Sequence, residues 1–189
     1  MSESEAATAL GEVDPKKISR EEFASQLEQA VAGGQSLSAL RPDQFARLIS
    51  RASASQLDSI MTPRHLREAV VDEVFRRMSA HYKADKARNT EAVVRWRIGT
   101  ATGADNGDTE ADSGDYLRYE CLLSGGTCTV SRQLEHEPRV TIMVGPVDFL
   151  KLTSGSSSAP TMFLTGKLKV AGDVGFAAGL TKLFQIPQA

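Results

Sequence analysis

From Pro138 to Phe184 the chain strings together a short strand, two apolar helical segments, a second strand and a glycine-containing apolar helix, and this order constrains the fold more than any other feature. Pro138 to Val144 reads as a strand, because branched and apolar residues alternate with polar ones. Pro146 to Leu152 begins a helix that stops at Ser154-Gly155. After the loop Ser156-Ser157-Ser158, Ala159 to Leu164 forms a second helical segment, Gly166 to Val170 a strand, and Gly172 to Phe176 leads into the last helix. Gly166-Lys167 has the form of a phosphate-loop ending, but Leu168 stands where a magnesium-binding Ser or Thr is needed and Thr161 where the first glycine belongs. The stretch therefore builds an enclosure rather than a reaction centre.

The last helix is apolar around most of its circumference: Val174, Phe176, Ala177, Ala178, Leu180, Leu183, Phe184 and Ile186 exceed what one buried face requires. Either protein covers it on two sides or a ligand covers the remainder. Burying an alkyl chain yields about 0.8 kcal/mol per methylene, so an apolar wall holds a lipid without a strong polar anchor.

The Phe149-Leu150 pair before Ser154-Gly155, the Met162-Phe163 pair, and Gly166-Lys167-Leu168-Lys169-Val170 followed by Gly172-Asp173 together resemble the sterol carrier protein type 2 family. The resemblance runs from about Leu66 to Phe184 and is sharpest after Glu137. It implies an α/β (α+β) fold, a twisted and mainly antiparallel sheet of about five strands covered by helices on one face. It also implies non-catalytic binding and transfer of an apolar lipid (fatty acid, acyl-coenzyme A or sterol) in a cavity between the sheet and the C-terminal helices. Apolar pattern and resemblance together nominate Phe149, Leu152, Met162, Phe163, Leu168, Val170, Phe176, Leu180 and Phe184 as lining residues, with Trp96 contributed by the sheet. Two other classes compete: a protein-interaction or dimerisation module whose cavity is filled, and an accessory subunit that presents lipid to a separate lipid-metabolising enzyme.

Upstream, Met1 to Lys16 is polar and without apolar period, the composition of a disordered tail. Residues 17–61 read as a helical extension and 62–189 as the lipid-binding domain. Ser19 with Glu22 three residues on fits a capping box, and Phe23, Leu27 and Val31 follow at helical spacing until Gly33-Gly34. A second helix spans Pro42 to Arg51 with Phe45, Leu48 and Ile49 inward, and a short turn is expected at Gln56 to Ile60. Thr62 as cap with Pro63 at the first position opens the longest helix, whose apolar side carries Leu66, Val70, Val74 or Phe75, and Met78. Its charges (Arg64, Arg67, Arg76 and Arg77 among Glu68, Asp72 and Glu73) read as a solvated face.

Ala92, Val94, Trp96 and Ile98 alternate with Val93, Arg95 and Arg97, the period of a half-buried strand. Leu117, Tyr119, Cys121 and Leu123 repeat it. A two-residue turn at Gly125-Gly126 would set Leu123 opposite Cys128 and Cys121 opposite Val130, making the two thiols diagonal neighbours, buried and reduced. Thr100 to Gly114, acidic and glycine-bearing, reads as a long solvated connection.

Composition removes other classes. A net charge of −2 gives no overall basic field for nucleic acid, and no apolar run approaches the ~18 residues that span a bilayer, so a cytoplasmic protein is expected. His65, His81 and His136 form no pair at ligand spacing, no serine sits in a nucleophile elbow, and neither metal nor cofactor is implied. His136, between Glu135 and Glu137, reads as part of a solvated turn.

Overall fold

A computed structural model describes residues 10–32, 37–99 and 116–184. The stop at Gly33-Gly34 and the acidic segment Thr100 to Gly114 lie outside the described residues. Packing divides the chain into two units: one of residues 1–77 with 150–156 and 186–189, the other of residues 78–149 with 157–185.

The first unit is helical. Helix α1 spans Arg20–Ala32, with the Ser19 hydroxyl accepting from the Glu22 N–H (3.1 Å), and buries Phe23 and Leu27. Helix α2 spans Pro42–Arg51 and buries Phe45, Leu48 and Ile49, as its spacing predicts. The segment expected to be a short turn is instead helix α3, Ala54–Met61, which packs on α1. A full capping box starts it: the Ser53 hydroxyl accepts from the Gln56 N–H, while the Gln56 side chain accepts from the Ser53 N–H (2.8 Å). The buried Gln56 amide also donates to the carbonyls of Pro15 (2.8 Å) and Ile18 (3.1 Å). Residues 10–16, assigned to a disordered tail by composition, are thereby held in place, with Leu10 and Pro15 buried.

Helix α4 runs Arg64–Ala80. Thr62 does not cap it: the Thr62 hydroxyl donates back to the Asp58 carbonyl (2.8 Å) and closes α3 instead. Leu66, Val70, Val71, Val74 and Phe75 are buried, but so are Arg67, Glu73 and Arg77, which corrects the solvated-face reading. Arg77 donates from Nε to Glu73 and from its terminal nitrogen to the carbonyls of Leu37 (3.1 Å) and Leu40 (2.6 Å). Its guanidinium also lies 4.6 Å from the Phe45 ring centroid.

The second unit is a five-stranded sheet of order β3-β2-β1-β4-β5: β1 Ala92–Ile98, β2 Leu117–Ser124, β3 Thr127–Ser131, β4 Val140–Val144 and β5 Leu168–Gly172. All neighbours are antiparallel except the central pair β1 and β4. This is the mainly antiparallel sheet expected. Gly125 (φ +56°) and Gly126 (φ +81°) make the two-residue turn between β2 and β3, since both positions need positive φ. Its register is the one read from sequence, Leu123 opposite Cys128 and Cys121 opposite Val130. Short helices α5 (Ala84–Ala87), α6 (Pro146–Thr153), α7 (Ala159–Leu164) and α8 (Val174–Leu180) complete the chain. The boundary between the units falls within α6, after Phe149.

Candidate functional site

Strand register assembles one continuous apolar face. Across its middle lie Tyr119, Trp96, Ile142 and Val170; toward one end lie Leu117, Ile98, Val144 and Leu168; toward the other lie Cys121, Val94, Val140 and Gly172. Side chains alternate faces along a strand, so every one of these points to the same side. No position in the three rows carries an ionisable group other than the Tyr119 phenol and the Cys121 thiol. The Phe149 ring, fully buried on α6, meets the Trp96 indole edge-on, with centroids 5.7 Å apart at 70°.

Two short helices flank the edge strand. Helix α7 starts at Ser158, whose hydroxyl accepts from the Thr161 N–H (3.3 Å), and packs on β5 with Met162 buried. Helix α8 packs on β4 and β5 and buries Leu180. Its start is fixed by three coupled contacts. Asp173 accepts from the Phe176 N–H (2.8 Å), its other oxygen accepts from Arg139 Nε (3.0 Å) and Nη2 (2.8 Å), and the Arg139 guanidinium lies 4.3 Å from the Phe176 ring centroid. The Phe176 N–H and then Arg139 hold the Asp173 carboxyl below its usual range. Gly172 (φ +93°) makes the approach possible: a Cβ there would sit 2.5 Å from the Arg139 carbonyl oxygen.

The nominated residues therefore fall into distinct places. Trp96, Leu168 and Val170 share the apolar face, and Phe149 meets Trp96 edge-on. Met162 and Leu180 are buried on helices that pack on β5. Phe163, the next residue after the buried Met162, is 45% exposed. Phe176 lies half-buried against Arg139, and Phe184 pairs with Tyr82, ring centroids 5.3 Å apart. Leu152 is buried but belongs to the first unit. Tyr119 and Ile142, the immediate neighbours of Trp96, were not among the nominated residues; the alternation of β2 and β4 marks their face, but only the pairing puts them beside the indole.

The two cysteines are free, buried and hydrogen-bonded to each other. That bond, reinforced by burial, pushes the Cys121 thiol well up, while accepting it brings Cys128 down. On the opposite face of the sheet, His136 is not merely part of a solvated turn. Its Nδ1 lies 2.6 Å from Oε1 of the buried Glu120, its N–H donates to Oε2 (3.2 Å), and Arg95 donates to its carbonyl (2.7 Å). Burial raises the Glu120 pKa, but the hydrogen bonds from the His136 ring and the His136 and Glu135 N–H groups outweigh it, leaving the carboxyl below its usual range. A lowered pKa in the folded chain contributes stability above the unfolded carboxylate pKa (~4.3), which is lost as pH falls through the folded value. Unfolding followed from pH 6 downward is expected to show this loss in the wild type, with a shallower slope in Glu120→Gln; equal slopes would remove Glu120 from the account.

Among the described residues no three His, Cys, Asp or Glu side chains are grouped to hold a metal ion, and no helix is long and apolar enough to cross a membrane. What the face offers chemically is apolar contact.

The model of the SCP-2 sterol transfer family matches residues 71–185, and the chain belongs to that family. Solved structures similar to it include sterol carrier protein 2 from Yarrowia lipolytica in its apo form, 19% identical over 64% of this chain and 91% of that one, with a TM-score of 0.46. Sterol carrier protein 2 like 2 from Aedes aegypti is 21% identical over 60% of this chain and 95% of its own, with a TM-score of 0.45. The inverting sec-alkylsulfatase Pisa1 from a Pseudomonas species is 15% identical over 98% of this chain, at a TM-score of 0.49, and the match spans 32% of that enzyme. No curated protein sequence matches the chain.

Proposed function

We propose that the chain binds an apolar lipid (a fatty acyl chain, an acyl-coenzyme A or a sterol) against the face centred on Trp96 and carries it without transforming it. The observation that supports this reading most is the row Tyr119, Trp96, Ile142, Val170 with the Phe149 ring edge-on to Trp96, apolar without a charged interruption and reaching the edge strand β5. Family membership points the same way. Affinity on such a surface follows the apolar area removed from water, at about 25 cal/mol per Å², so a chain of methylenes and a fused-ring sterol are both acceptable.

Trp96 is the only tryptophan, so its emission reports on this face directly. Titration with a fatty acid or a fluorescent sterol is expected to change Trp96 emission and to saturate. Val170→Asp places a carboxylate on the face and should weaken binding at least tenfold, whereas Ala171→Asp, one residue on and on the opposite face, should leave it within about twofold. Equal binding by both variants would sink the site. Acyl-coenzyme A recovered intact after prolonged incubation is the expected result for a carrier; turnover abolished by a point substitution would replace this reading with a catalytic one.

A further inference from the structure

We propose that the Tyr82 hydroxyl is the hydrogen-bonding anchor for the polar end of a bound lipid, and that it favours an uncharged oxygen, a hydroxyl or a carbonyl, over an ionised carboxylate. The inference rests on the carrier reading and adds to it how the cargo is oriented and which end group is accepted.

Among the described residues, the Tyr82 hydroxyl is the one uncharged side-chain group that is shielded from solvent and has no hydrogen-bond partner. Burying a hydroxyl in that condition is unfavourable, and folded chains pair nearly all such groups. The residue is held in place on both sides. Tyr82 forms an antiparallel bridge with Phe184, the Lys83 N–H donates to the Leu183 carbonyl (2.8 Å), and just upstream the Ser79 hydroxyl donates to the Cys128 carbonyl.

Tyr82 stands at one end of the apolar face. Cys128 lies opposite Leu123 and Leu123 opposite Ala92, so this inward row is four residues of strand from Trp96, about 14 Å. An extended acyl chain or a sterol body covers that length. The polar atoms on the way are already engaged: the Trp96 and Cys121 side chains are hydrogen-bonded, and the Cys121 thiol donates to Cys128. A lipid lying from Trp96 toward Cys128 therefore meets apolar contact along its length and the Tyr82 hydroxyl at its end.

The local field selects the end group. Burial, then Cys128 and then Glu91 push the Tyr82 pKa up, so the phenol keeps its proton and remains a donor. The Glu91 carboxylate, positioned by accepting from the Gly125 N–H (3.2 Å), opposes a second negative charge near the phenol. A neutral oxygen accepts the same hydrogen bond without that repulsion.

Trp96 emission, titrated with dodecane, dodecanol and dodecanoate at neutral pH, separates the chain from its end group. Tyr82→Phe is expected to lose about fivefold in dodecanol affinity, the worth of one hydrogen bond, while dodecane binding stays within about twofold. Dodecanoate should bind the wild type at least about fivefold more weakly than dodecanol, a gap that Tyr82→Phe narrows. The urea midpoint of the free protein should hold or rise in Tyr82→Phe, because no bond within the chain is lost. Equal dodecanol affinity in the two proteins, or a matching loss for dodecane, would overturn the anchor and leave the carrier reading standing. So would dodecanoate bound more tightly than dodecanol, or a fall in the urea midpoint, which would mean that the hydroxyl is already satisfied. No Trp96 response to any of the three probes would overturn both readings.

Discussion

Glu73→Ala is expected to destabilise the chain by about 3–5 kcal/mol, read as a fall in the urea midpoint at constant slope. The carboxylate is buried on α4 and accepts from both Arg76 and Arg77. Removing it strands the Arg77 guanidinium, whose pKa burial already lowers against the opposing pull of Glu73. Arg77→Ala should cost as much for the converse reason, and it further leaves the Leu37 and Leu40 carbonyls without their donor. Arg76 is the control: its side chain is 52% exposed, so Arg76→Ala should cost no more than about 1 kcal/mol even though it bonds the same carboxylate. Domains are stable by only ~5–15 kcal/mol, which makes the contrast measurable in one denaturation series. A loss below 1 kcal/mol for Glu73→Ala would mean that water reaches the carboxylate and that the buried pair does not hold the 37–40 turn to the helix.

Phe149→Ala is expected to cost a similar 3–5 kcal/mol, the usual range for emptying a fully buried aromatic site. The edge-on contact with Trp96 adds a distinct signature. With the ring gone, one side of the only indole in the chain loses its cover, so native-state emission should move to longer wavelength before any unfolding occurs. Phe149→Leu refills most of the volume and should recover more than half of the stability while leaving the spectral change, since the aromatic edge is still missing. An unshifted spectrum in Phe149→Ala would show that the indole does not depend on Phe149 for its environment, and the lipid face would need to be redrawn around β2.

Much of the second unit was legible because strand periodicity and turn chemistry act over a few residues. Trp96 and Tyr119 could be assigned to inward faces from alternation alone, and the glycine pair at 125 and 126 set the β2–β3 register. Helix α3 escaped because its eight residues carry too little apolar period to separate from a turn, and its capping box at Ser53 and Gln56 was the signal to use. Phe163 and Phe176 were nominated as lining residues for being aromatic in the right segment. Whether such a ring meets the sheet, solvent or an arginine depends on the azimuth of a helix only six or seven residues long, which a short apolar run leaves open.

The sequence by itself determined which residues form strands, which side of each strand is apolar, and that ionisable groups are nearly absent there, since each is a property of near neighbours along the chain. Only the tertiary structure decided that Tyr119, Trp96, Ile142 and Val170 stand in one row, and that Glu73 and Arg77 are buried instead of solvated. The row requires β1 and β4 to pair in parallel across more than forty residues of chain, and the burial requires backbone carbonyls 37 and 40 residues away from Arg77 as partners. Such contacts are selected by the free energy of the whole packed unit, and no local pattern encodes them.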